Sequence, residues 1–78
     1  MFELGIVIKI NDRVLAVVEI MKKGIITFTC VQADGEFVIE ISNNEEWTYD
    51  ELKSFQIEVV GQLDSKQFES AKRKLIFD

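Results

Sequence analysis

A chain of 78 residues with a net charge of −5, no His, no Pro and one Cys holds a single domain, 1–78, and lacks the usual staples of small folds. One cysteine excludes an intrachain disulfide, and without His or a cysteine pair a structural zinc site is excluded as well. Apolar residues make up 47% of the chain, too many for a disordered segment, so stability must come from a packed core, an oligomer or both.

The first stretch, MFELGIVIKI, has no basic leader and no small-residue cleavage site. No apolar run in the chain approaches a bilayer span, so a cytoplasmic protein with no membrane segment is expected. The stretch alternates: Phe2, Leu4, Ile6, Ile8 and Ile10 share one face, and Glu3, Gly5, Val7 and Lys9 the other. That period predicts a half-buried strand. Asn11-Asp12 tolerates the left-handed conformation of a tight hairpin. The second strand resumes at Arg13, with Val14, Ala16, Val18 and Ile20 on one face and Leu15, Val17, Glu19 and Met21 on the other. Lys22-Lys23-Gly24 makes a turn, and a third strand follows with Ile26, Phe28 and Cys30 facing in and Ile25, Thr27, Thr29 and Val31 facing out. After Asp34-Gly35, a fourth strand is predicted over 36–42, with Phe37, Ile39 and Ile41 inward. Residues 2–42 thus form an antiparallel meander.

Residues 43–54 break the alternation. Thr48 and Glu51 have capping-box spacing, so this segment is expected to be a loop carrying a short helical turn, with Trp47 and Leu52 plugging the core. A fifth strand spans 55–61, with Phe55, Ile57 and Val59 opposite Gln56, Glu58 and Val60. From Phe68 the period changes: Phe68, Ala71, Leu75 and Ile76 recur at three and four, Asp64 or Ser65 caps the start, and Lys72, Arg73 and Lys74 suit the negative end of a helix over about 65–76.

The expected fold class is α+β, mainly β. Five short antiparallel strands with a helical turn before the last resemble the SH3-like small barrel in architecture, and a curved open sheet with the C-terminal helix laid across it fits the same element order. The aromatic-rich first loop of peptide-binding SH3 domains is missing, because that loop is only Asn11-Asp12. On this alternation the outer face carries Val7, Leu15, Val17, Met21, Ile25, Val31, Val38 and Val60. Leaving a large aliphatic exposed forgoes about 1.5–3 kcal/mol of burial, so the helix and a partner are expected to share that face.

No motif for catalysis or for a cofactor is present, and without His the commonest proton carrier is missing, so no enzyme activity is expected. Glu45, Glu46, Asp50 and Glu51 offer oxygen ligands, but lack EF-hand spacing and its turn glycine, so no metal site is expected. Cys30, beside Phe28, is expected to act as a small buried hydrophobe. The expected function is protein–protein interaction, with a second copy among the candidate partners. Two surfaces are candidates: the apolar face around Leu15, Val17 and Met21, and the acidic loop of Glu45, Glu46, Trp47, Tyr49, Asp50 and Glu51.

The seven acids from Asp34 to Glu51, with no base among them, support an alternative, a decoy of nucleic acid that occupies a basic groove. In size and charge the chain is similar to the small acidic inhibitors that mobile elements encode. A second alternative is a small-barrel nucleic-acid binder using Lys9, Arg13, Lys22 and Lys23 or the Lys72–Lys74 run. The negative field and inward aromatics disfavour it.

Overall fold

The structure, a computed structural model, describes residues 3–34, 36–37 and 45–77, with side chains through Arg73. The strands are β1 (Ile6–Ile10), β2 (Arg13–Met21), β3 (Thr27–Gln32), β4 (Glu45–Thr48) and β5 (Ile57–Gln62). A short helix α1 (Tyr49–Lys53) joins β4 to β5, and α2 (Ser65–Phe77) follows β5. All strand pairs are antiparallel, in the order β4-β3-β2-β1-β5. The architecture is mainly β; among the described residues the sheet has two edges, β4 and β5, and it does not close into a barrel.

The β1–β2 hairpin turns on Asn11, which takes φ 56°, and its register places Ile10 opposite Arg13, Ile8 opposite Leu15 and Val7 opposite Ala16. This corrects the expected faces. Leu15 and Val17 lie with Ile8, not with Val7, because a two-residue loop forces that register. Val17 pairs with Cys30 and Glu19 with Thr29, so Val18 is an extra residue. The bulge reverses the alternation, and Ile20 packs on the same face as Leu15 and Val17.

Both faces of the sheet are consequently cores. Face one gathers Val7, Ala16, Val18, Val31, Ala33 and Leu63 under Ala71 of α2, with Phe68 packed beside it. Face two gathers Ile8, Ile10, Leu15, Val17, Phe28 and Cys30 under Leu52 of α1, with Trp47 and Ile57 alongside. A five-residue helix thus covers one side and a thirteen-residue helix the other.

Predicted loop residues 45–48 form the edge strand β4, where Trp47 pairs with Phe28 and Thr48 with Thr27. The free edge of β3 supplies the partners that a local sequence pattern does not reveal, and Trp and Thr suit a strand. Of the predicted fourth strand, residues 38–42 lie outside the described residues, as do Phe2 and the side chains of Leu75 and Ile76. Glu36 and Phe37 sit in a turn, their N–H groups donating to Asp34 Oδ1 (2.8 Å) and Asp34 O (3.0 Å).

Both helix starts follow the sequence. The Thr48 hydroxyl accepts from Glu51 N (3.1 Å) while Glu51 Oε1 accepts from Thr48 N (2.9 Å). Asp64 and Gln67 repeat the exchange at α2, each at 2.8 Å. Gly5, at φ 84°, donates to Val17 O and accepts from Leu63 N, tying the start of β1 to β2 and to the approach of α2.

Candidate functional surface

Four of the eight apolar residues expected on an outer surface are interior, while Met21, Ile25 and Val60 are exposed. Leu15 and Val17 are fully buried, so they form no docking face; Val7 and Val31 are buried as well. Val38 lies outside the described residues.

Met21 and Ile25 behave differently. The β2–β3 connection, Lys22 to Ile26, projects beyond the last sheet pair, Met21 with Thr27. Met21 is 55% exposed and Ile25 69%, and Ile26 is also exposed. Tyr49 joins them, because its N–H donates to Ile26 O (2.9 Å) as β4 runs into α1. Its exposed ring lies 6.4 Å from Phe28, and Lys53 Nζ sits 5.3 Å from the ring centroid. One end of the sheet therefore carries exposed Met21, Ile25, Ile26 and Tyr49, with Met21 on the face opposite Phe28 and Tyr49 on the Phe28 side, and the exposed Lys22, Lys23 and Lys53 lie at the same end.

The acidic candidates separate into two kinds. Glu45 forms a salt bridge with Arg13, and Glu51 spends a carboxylate oxygen on the capping box. Glu46 and Asp50 are exposed, and neither makes an ion pair among the described residues. Trp47 is half-buried, edge-on to Phe55 at 5.5 Å and 83°. Its Nε1 is buried with no hydrogen-bond partner among the described residues, a cost of about 1–3 kcal/mol that its packing must offset.

Among the described residues no three Cys, Asp or Glu converge as metal ligands. Burial pushes the Cys30 thiol up to about 12, which makes it a poor nucleophile. A surface depression of about 580 Å³ beside Lys9, Asn11, Gln56, Ile57 and Glu58 is open to solvent. No described helix is long and apolar enough to cross a membrane. The exposed strand β5 is a surface that the sequence reading passed over; its signal was the run Val59-Val60-Gly61, with no Lys or Pro to guard an edge. No protein-family model, curated protein or solved structure matches the chain.

Proposed function

We propose that the chain is a non-enzymatic protein-binding module that engages its partner through the apolar end built by Met21, Ile25, Ile26 and Tyr49. One observation carries this: four large apolar side chains stand exposed at one end of the sheet, on a fold that buries or half-buries the other aliphatics of β2 and β3. Burying each fully would contribute about 1.5–3 kcal/mol. Tyr49 is bonded to the backbone of Ile26, which brings the start of α1 to this end of the sheet, and apolar surface gathered in one region marks interaction sites more than scattered residues do. The lysine rim suits a partner with acidic groups around an apolar centre.

The acidic decoy remains a second reading, supported by the uncompensated Glu46 and Asp50 beside α1. Its weakness is that Glu45 is offset by Arg13 and Glu51 is engaged by its own helix. A capture experiment with the tagged chain in lysate of its own cells, nuclease added, separates the two. The apolar end predicts a partner that stays through a high-salt wash, is lost with Met21→Ser/Ile25→Ser and is kept with Glu46→Gln/Asp50→Asn. Elution by salt together with loss in the amide variant would replace this proposal with the decoy.

A further inference from the structure

We infer that β5 is a dimerisation edge, pairing antiparallel with β5 of a second copy across a two-fold axis between Val59 and Val60. Among the described residues the sheet has two edges, β4 and β5, and they are built differently. β4 is four residues long and carries Glu45 and Glu46. β5 is six residues long with a single charge, Glu58, and with neither Lys nor Pro. Exposed edges are normally shortened, charged, interrupted by proline or covered, because their free N–H and C=O groups recruit other strands. Here Val59 is 58% exposed and Val60 38%.

The strand suits a copy of itself. Across β1, Ile57 and Gln62 pair with Ile10 and Ile6, residues of face two, while Glu58 and Gly61 pair with Lys9 and Val7 on face one. A two-fold between Val59 and Val60 sets Ile57 against Gln62 and Glu58 against Gly61, so opposed residues share a face on both sides of the axis. The strand's only carboxylate is set against Gly61, beside the Phe37 ring that packs over that glycine, and no like charges oppose each other. Val60 is the extra residue of a bulge against β1, since Val7 pairs with Gly61 and Ile8 with Val59. On the axis, each bulge meets its own copy, so the kinks coincide. The site is separate from the apolar end, which leaves Met21 and Ile25 free in the dimer. An isologous contact of this kind closes at two copies.

The test is sedimentation equilibrium of the full chain over a wide dilution series. The unmodified protein should approach twice the chain mass at high concentration, Val59→Lys should halve it, and Ile25→Lys should leave it doubled. A second measurement uses the unmodified protein alone: amide exchange at Val59 and Val60 should slow as concentration rises. An unmodified chain that stays monomeric overturns the inference, even if it binds a foreign extended peptide. So does a folded Val59→Lys variant that still dimerises, or a dimer dissolved by Ile25→Lys, which would move the contact to the apolar end. If Val59→Lys fails to fold, exchange decides, and concentration-independent β5 amides count against the dimer.

Discussion

Cys30 sits in the middle of β3, between Val17 and Glu45 in the ladder, with its side chain in the face-two core. Desolvation alone raises its pKa from 9.0 to about 12. The sign of the consequence is fixed. Above pH about 9 the unfolded chain releases the thiol proton and the folded chain keeps it, so the unfolded state binds fewer protons and stability falls as pH rises. This contribution is complete below pH about 9 and drains away toward pH about 12, at no more than about 1.4 kcal/mol per pH unit. Urea denaturation of the chain and of Cys30→Ala across that interval should show the unmodified protein losing its stability advantage over the variant. Parallel pH curves for the two would mean that the thiol is accessible when folded. The residue's role was legible in the sequence, because Phe28 two positions earlier marks the same inward face.

At the scale of elements, what was legible is what is local. Thr48 and Glu51 announce their own helix start, and Asp64 with Gln67 does the same for α2. What was missed depends on contacts far along the chain. Nothing in Glu45–Thr48 alone shows that β3 has a free edge waiting for it. The bulges at Val18 and Val60 are set by neighbouring strands, so strict alternation misplaces Ile20. One miss was avoidable: the two-residue Asn11-Asp12 loop already places Leu15 opposite Ile8, which puts Leu15 and Val17 in the core and removes them from any docking face. The α1 helix allows the local and tertiary terms to be weighed. Thr48→Ala forfeits the cap and should cost about 1 kcal/mol. Leu52→Ala opens a cavity at a fully buried site and should cost about 2–5 kcal/mol. Urea midpoints that reverse this ranking would show that α1 is held by its cap more than by the core beneath it.

The molecule as a whole is a sheet with two cores, and β1 and β2 contribute to both: Val7, Ala16 and Val18 to face one, Ile8, Ile10, Leu15 and Val17 to face two. Adjacent residues of one strand cannot leave one core and remain in the other, because extended backbone carries both sets of side chains together. The two helices therefore have no independent support, since α1 and α2 rest on opposite faces of the same two strands. Unfolding should be a single transition. Trp47, the only Trp, reports face two by fluorescence, and helical circular dichroism comes mainly from α2, which is thirteen residues against five for α1. The two signals should give superimposable urea curves. Leu52→Ala on one face and Val18→Ala on the other should each move both curves together. An α2 signal that melts first, with the Trp47 curve unmoved, would show that face one closes over a sheet already stabilised from the other side. The central strands would then draw their stability chiefly from the core under α1.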